Sequence, residues 1–512
     1  MDGEWWLTRT AFQVDILERE AFEVLRLIRS MKNRVAPINR IPPEVLILLP
    51  DSWGTDCKRK GIIALTHVCQ TWREIFISRS SLWTDFDCMD IDKTQIYLER
   101  SKSSPINVLL KRTPNLLPYD LFFWILPHTI GRLKSLSING NPSNIRDITA
   151  RLSFPAPLLE DLSICGGSDF FPLRNPTLTS TLFNGDLSSL RTLYLQCVRT
   201  ELPWRNMDNL TSFTLCDTSP GNITVMHLLD FFENAPRLCK IRLYTIRLHT
   251  VTPASDAQNG RLVSLTRLKR MCIIDSGPSS LLLDHLLIPV GASLTTQVVL
   301  RGPLIEDHLP RSLDNLRNLS GFTKIRLFTV GWPPRVELSG PNGQVTMAPI
   351  SQTDTSCMVL ESLVQFGVSK VRRLEINYDE TLSRDLVYRM LLATEDLCTL
   401  VLSHCYNPHG FIAALCPNIN SPEVVACPKL EELILTFSIN GGTFNLKDVI
   451  GMGAARALGG SRLRTVRIVD GQDALDPGDV LELKKHVMHV EYGPKVDEVG
   501  GYNFSDDDDE ED

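Results

Sequence analysis

No run of 18 or more apolar residues occurs anywhere in the 512-residue chain, so nothing in it is built to cross a membrane as a helix. The amino-terminal Met1-Asp2-Gly3-Glu4-Trp5-Trp6 lacks the basic and apolar regions of a secretory signal. A soluble, intracellular protein of the cytoplasm and/or nucleus is expected. Close cysteine pairs are also missing. The 13 cysteines, an odd number, contain no Cys-x-x-Cys, which removes support for metal ribbons and dithiol redox motifs. Cys165, Cys216, Cys272 and Cys398 fall in or beside apolar strand patterns, as buried reduced thiols do. An excess of basic charge is absent too. The net charge is -7, and the last eight residues, Ser505 to Asp512, hold seven carboxylates and no base. Without them, 53 acidic residues face 53 basic ones, and a neutral body lacks the basic stripe that nucleic acid requires.

Motifs of catalysis are incomplete wherever they begin. His486-x-x-His489 has no acid and no third ligand, and one helical face accounts for it. Gly451-Met452-Gly453 is followed by Ala454-Ala455-Arg456 and misses the third glycine of a dinucleotide loop; its position also fits a helix. His404-Cys405 has no orienting partner in the sequence. No catalytic, cofactor-binding or metal-binding residue is therefore assigned, and the chain is not expected to be an enzyme.

What is present falls into four regions. Residues 1–36 read as one helix. Val14, Leu17, Ala21, Val24, Ile28 and Met31 follow a 3-4 spacing with Glu18, Glu20, Arg26 and Arg29 on other faces. That is the seam of a short coiled coil, serving either self-association or packing against the next module. Pro37 ends the helix.

Residues 37–88 form a small helical module. Pro42 and Pro43 suit a helix start, where backbone donors are not needed, and Glu44 suits the positive end of the helix dipole. Val45, Leu46, Leu48 and Leu49 make an apolar stripe that Pro50 interrupts. A polar loop, 51–61, precedes a second helix expected from Ile62 to Ser78, with Leu65, Val68, Cys69, Trp72, Ile75 and Phe76 at helical spacing.

From 104 to 475 the phrase L-x-x-L-x-L, with conservative substitutions, recurs about a dozen times at roughly 30-residue spacing. Examples are Leu133-Leu136-Ile138, Leu190-Leu193-Leu195, Leu238-Ile241-Leu243, Leu397-Leu400-Leu402 and Leu463-Val466-Ile468. One copy, near Val298 and Leu300, is degenerate in register. Amphipathic helices are expected between strands, at 224–234, 281–287, 382–392 and 411–415. Such units bury their leucines only by stacking on neighbours. In the long interval from Phe322 to Val371, alternating residues flank Pro341-Asn342-Gly343, a hairpin signal. It reads as an excursion from the edge of the array. The final residues, 505–512, are too acidic to form a core and are expected to be disordered; they solvate the chain or attract a basic partner.

Three blocks in the small module, Ile41-Pro42-Pro43-Glu44-Val45-Leu46, Val68-Cys69-Gln70-Thr71-Trp72 and Leu82-Trp83, resemble in order and spacing those of an F-box. The repeat that follows resembles a leucine-rich-repeat solenoid, and F-box/leucine-rich-repeat proteins, fungal ones included, have this layout. The fold so implied is α/β: an N-terminal helix, a small all-α F-box module, a leucine-rich-repeat solenoid and a disordered acidic tail. The sequence departs from the F-box pattern at Leu48-Leu49-Pro50, where an Ile-Phe pair is usual, and at Gln70, where a basic residue is usual.

The resemblance implies a substrate-recognition subunit of an SCF-type cullin-RING E3 ubiquitin ligase. Ile41, Pro42, Glu44, Leu46, Leu48, Val68, Cys69 and Trp72 would contact the Skp adaptor and, through it, the cullin. The alternative is that Trp72 and Trp83 close the module's own core. A protein target would meet strand residues of the solenoid that alternate with the leucines: Tyr194, Gln196, Arg242, Tyr244, Arg301, Arg326, Phe328, Asn377 and Arg467. The alternative is a non-catalytic scaffold uncoupled from ubiquitin transfer.

Overall fold

The structure is a computed structural model of the chain. It describes residues 2–53, 61–88, 90–111, 117–166, 176–179, 181–201, 204–217, 223–246, 260–274, 279–299, 308–310, 313–328, 335–350, 364, 368–377, 384–403, 408–416, 425–436, 446–469 and 476–493. Arg301, His404-Cys405 and the acidic tail lie outside these residues. The chain is mixed α/β and divides into two compact units, Met1–Glu201 with Arg205–Asn209, and Leu202–Trp204 with Leu210–Asp512. No described helix is long and apolar enough to cross a membrane.

The first unit opens with helix α1 (Asp2–Val35), ended before Pro37 as expected. All six seam residues from Val14 to Met31 are exposed. The alternative in which α1 packs its seam on the neighbouring module is therefore not what the structure has. The module itself begins with α2 (Pro43–Leu46), a single turn, and a 3-10 turn over Leu49–Ser52 that carries Pro50 at its start.

The single helix expected over Ile62–Ser78 is two pieces. A helical turn at 61–65 ends in a turn, Cys69 is fully extended (φ -159°, ψ 173°), and α3 begins again at Gln70 and runs to Ser78. Side chains make the break. Thr66 Oγ1 donates back to Ile63 O (2.7 Å), and Arg73 Nε donates to Thr66 O (2.9 Å), satisfying a carbonyl that helix continuation would otherwise use.

Helix α4 (Ile91–Ser101) closes the module from beyond its expected end at 88. Trp83 donates from Nε1 to Phe76 O (2.8 Å), meets Tyr97 edge-on at 5.0 Å, and lies under the Arg100 guanidinium at 4.2 Å. The sheet also starts inside the module. Strand β1 (Asp85–Asp87) pairs in parallel with β2 (Ile106–Leu110), then β3 (Leu133–Gly140), β4 (Asp161–Gly166) and β6 (Thr192–Gln196), all parallel. Two short strands, β5 (Thr177–Leu178) and β7 (Arg199–Thr200), pair separately. Gly166 permits a close approach here: a Cβ would sit 2.6 Å from Cys197 O.

In the second unit, β8 (Ser212–Cys216), β9 (Lys240–Tyr244), β11 (Arg270–Ile274) and β13 (Ser293–Val299) lie side by side in parallel. Strands β10 (Val263–Ser264) and β12 (Leu286–Leu287) form a separate pair. The helix expected over 281–287 stops at Leu283, because Leu286 and Leu287 join that pair. Helices at Val225–Glu233, Arg384–Ala393 and His409–Leu415 are close to expectation. The first is capped by Thr224, which accepts from His227 N–H. Its Phe231 ring lies tilted against Phe213 of β8, with centroids 4.4 Å apart.

The hairpin is not an excursion from the edge. Strands β14 (Lys324–Phe328), β15 (Arg335–Gly340) and β16 (Gly343–Ile350) are consecutive in the sheet, antiparallel to one another, and β16 pairs in parallel with β13. The order is thus β13-β16-β15-β14, and β14 continues in parallel to β17 (Arg373–Asn377), β18 (Thr399–Ser403), β19 (Glu432–Thr436), β20 (Thr465–Val469) and β21 (His489–Gly493). The reason is apolar. Val336, Leu338, Val345 and Met347 are buried and lie opposite Leu327, Ile325, Leu294 and Thr296 respectively, so the hairpin's apolar face is part of the same core. Its tip is bonded on both sides. Asn342 Nδ2 donates to Ser320 O (2.7 Å), and Gly291 N–H donates to Asn342 O (2.6 Å).

The degenerate copy now has a register. Leu294 and Thr296 of β13 stand opposite Met271 and Ile273, one turn of the pattern earlier than Val298 and Leu300. The Thr296 hydroxyl replaces an apolar side chain and is hydrogen-bonded to buried His308 Nδ1 (3.0 Å). The sheet also runs past 475, since β21 pairs with β20. His486 ends the helix Pro477–His486 and His489 begins β21, so the two do not share a helical face.

Leucine-type residues line up across the strands. Leu400 meets Leu433 and then Val466; Leu402 meets Leu435 and then Ile468, all essentially without exposure. Burying each such side chain contributes about 1.5–3 kcal/mol, which only a neighbouring strand makes available.

Candidate functional site

The expected adaptor-contact residues divide into two sets by burial. Leu46 (2% exposed) and Trp72 (5%) are inside the module, with Ile62, Leu65, Phe76 and Leu82. Trp72 is further fixed by its Nε1 donating to Asn39 Oδ1 (2.5 Å), while Asn39 Nδ2 donates to Asn33 O at the end of α1 (2.6 Å). They position the module's surface and are not available to a partner. The outward set is Pro42, Glu44, Leu48 and Val68, with Ile41 and Cys69 half-buried. Leu48 is 61% exposed and Val68 52%. Val45, 50% exposed, belongs with them and was not picked out from the sequence as a contact. The signal was available: Val45 precedes inward-facing Leu46 on a one-turn helix, so the two point apart.

The break at Cys69 explains Val68. Had the helix continued, Val68 would have followed the stripe of Leu65 and Trp72 inward; in the turn it faces out. Beside this, α1 and the start of α3 enclose an open groove of about 870 Å³, lined among others by Phe22, Leu25, Arg29, Gln70 and Arg73.

On the sheets, the expected target-contact residues alternate with the buried leucines, and those of the second unit do not form one cluster. In the first unit, Tyr194 OH donates to Gln196 Oε1 (2.9 Å), which also accepts from Cys165 Sγ (3.2 Å). In the second, Arg242 and Tyr244 share β9 beside Cys272 of β11. Burial, together with the neighbouring Cys272, pushes the Tyr244 hydroxyl's pKa well up, so it remains a neutral donor. Arg326 stands five strands from Arg242, roughly 24 Å at the usual strand spacing, because the hairpin strands intervene. Arg467 is four strands further on and is paired with Glu491 (2.8 Å).

Around Arg326 the structure assembles a cluster that the sequence did not single out. Glu375 accepts from Arg326 Nε (2.5 Å), Arg373 Nε (2.6 Å) and Lys324 Nζ (2.9 Å). Glu337 faces Arg335 (3.4 Å) and Arg326 (3.6 Å), and Arg335 lies over the Phe328 ring at 4.4 Å. Burial pushes the Glu375 carboxyl up, but the bonds from Lys324 and Arg373 and the charge of Arg326 outweigh it and hold it below the ordinary range. Four cations against two carboxylates leave this patch net positive. Next to it on the same row of the sheet, Val401 of β18 and Ile434 of β19 are buried in an apolar cluster with Val469. The sequence signal was the alternation in Lys324-x-Arg326, Arg335-x-Glu337 and Arg373-x-Glu375, which puts each pair on one face.

Among the described residues, no group of three or more His, Cys, Asp or Glu side chains is arranged to hold a metal ion. No protein-family model matches the chain, and no curated protein is similar to it.

Proposed function

We propose that this chain is the substrate-recognition subunit of an SCF-type cullin-RING E3 ubiquitin ligase. In this proposal the 37–88 module is an F-box that docks the Skp adaptor, and the repeating parallel strands are a leucine-rich-repeat solenoid that holds a protein target. The chain performs no bond chemistry; it raises the effective concentration of target at the ligase.

One observation carries the proposal. Val45, Leu48 and Val68 remain half exposed or more on a module whose interior is already closed by Leu46, Trp72, Phe76 and Trp83. Internal packing gives no reason for them, and large apolar side chains left exposed on a small module are typical of an interface. The cationic cluster at Lys324, Arg326, Arg335 and Arg373 favours an acidic target segment.

The test is recovery of purified Skp adaptor on the immobilised full chain. The double variant L48D/V68D should abolish recovery while leaving the circular dichroism spectrum unchanged; recovery equal to wild type sinks the docking proposal. Truncating Leu46 and Trp72 would not serve, because both belong to the core. Coupling to ubiquitin transfer is tested separately. Partners captured by the chain should become longer-lived when it is removed, whereas unchanged half-lives with intact adaptor binding favour the scaffold alternative.

A further inference from the structure

We propose that α1 pairs with α1 of a second copy of this chain as an antiparallel coiled coil, making the protein a two-fold dimer independently of adaptor docking. Three features of α1 meet in this arrangement. It is a 34-residue helix whose seam, Val14, Leu17, Ala21, Val24, Ile28 and Met31, extended here to Val35, is exposed along its length. Its acids all precede residue 24, and most of its bases follow. Asp15, Glu18, Glu20 and Glu23 lie in the first part with Arg9 and Arg19, and Arg26, Arg29, Lys32 and Arg34 in the second. Finally, the smallest seam residue, Ala21, and the longest, Met31, are equally far from residue 26, so the two halves complement each other.

Placing two copies antiparallel about a dyad near residue 26 stacks Val24 on the other copy's Ile28, Ala21 on Met31, and Leu17 on Val35. Each pairing occurs twice, and the smallest seam residue meets the longest. The core so formed covers residues 17–35, roughly 28 Å of helix. The flanks agree at every position. On one side, Glu18 faces the other copy's Lys32, and Leu25 faces Leu25. On the other, Glu20 faces Arg34, and Leu27 faces Leu27. Leu25 and Leu27 are exposed apolar residues that a two-residue-per-heptad seam leaves unexplained; at the dyad they widen it where no charge pair is possible. The parallel in-register alternative fails the same inspection. Its flanking pairs are Gln13 with Glu18, Glu20 with Leu25 and Leu27 with Lys32, none of them complementary.

An isologous interface of this kind closes on itself at two copies. It leaves Val45, Leu48 and Val68 outside the seam, so a dimer would present two such patches. With fewer than three heptads of contact, association is weak, in the micromolar range.

Sedimentation velocity on the full chain, from roughly 1 to 100 μM, tests the proposal. The expected result is a concentration-dependent monomer–dimer equilibrium. E18K/E20K converts all four flanking ion pairs to repulsions and should weaken association roughly 30-fold or more, as should K32E/R34E. Combining them, E18K/E20K/K32E/R34E, restores every pair and should return the dimer to wild-type strength. These positions are all exposed, and an unchanged circular dichroism spectrum shows that each variant folds. A chain that stays monomeric across the series overturns the proposal and leaves α1 to a different protein. Association indifferent to E18K/E20K, or not rescued by the fourfold exchange, overturns it as well.

Discussion

Arg456 is fully buried on the helix Leu446–Leu458 with no carboxylate partner among its described contacts, so its replacement should be among the most damaging in the second unit. The guanidinium is used entirely on backbone carbonyls. Nη1 donates to Ala426 O (2.9 Å) and Leu415 O (3.4 Å), Nη2 to Cys427 O (2.9 Å), and Nε to Ser461 O (3.2 Å). It ties its own helix to the return from the preceding helix, His409–Leu415. Cys427 continues the tie, since its thiol donates to Leu391 O (3.1 Å) one return earlier. Each hydrogen bond from a charged donor nets about 1.5–3 kcal/mol, and two of the four are short. Desolvating the guanidinium, which also pulls its pKa down, offsets part of the sum. A net loss of about 3–5 kcal/mol follows when the donors go and the carbonyls remain buried. R456M keeps the volume and removes the donors, so it isolates the hydrogen bonds; R456A adds a cavity and should cost about 1–2 kcal/mol more. R456K, a compact charge with different donor geometry, should fall between wild type and R456M. Urea unfolding gives the stability. Hydrogen exchange should show the lost protection centred on residues 409–416, 425–436 and 446–469, which the guanidinium joins. If R456M matches wild type within about 0.5 kcal/mol, the claim that Arg456 clamps successive returns is wrong.

Buried His308, its pKa pushed down to about 4 by desolvation, is held neutral in the folded state. Its unfolded value is higher, so the contribution is complete above about pH 6.5 and is lost as pH falls toward 4, about 3 kcal/mol in all. H308Q should flatten the stability-versus-pH curve in that window, and a wild-type curve already flat there refutes it. Gly343 has φ +143°, and a Cβ would lie 2.8 Å from Ala292 O. G343A should therefore cost about 2–3 kcal/mol and lower exchange protection over 335–350; unaltered protection would show that the hairpin is not locked into the sheet. E375Q leaves Lys324, Arg326 and Arg373 facing each other with a neutral amide, and should destabilise by about 1–2 kcal/mol at neutral pH. Because the Glu375 pKa is depressed on folding, that difference should shrink as pH drops below about 4.5, which acid titration of both proteins would reveal.

Local patterns determined much of this protein. The 3-4 spacing over 14–31 and Pro37 were sufficient for α1 and its end, because helix periodicity and proline act within a few residues. The L-x-x-L-x-L phrases located strands such as β9, β18 and β20, since alternating burial is imposed by the strand itself. Tertiary structure decided what those patterns could not express. Leu46 and Leu48 look equally apolar in sequence, and only the folded module buries one and leaves the other out. The hairpin's Asn-Gly turn was legible, yet its place between β13 and β14 depends on Val336, Leu338, Val345 and Met347 finding the common core. The Lys324–Glu375 cluster joins residues about fifty positions apart, and the break at Cys69 rests on hydrogen bonds from Thr66 and Arg73. Neither leaves a periodicity behind, because side chains meeting across strands and turns are set by register and not by spacing along the chain.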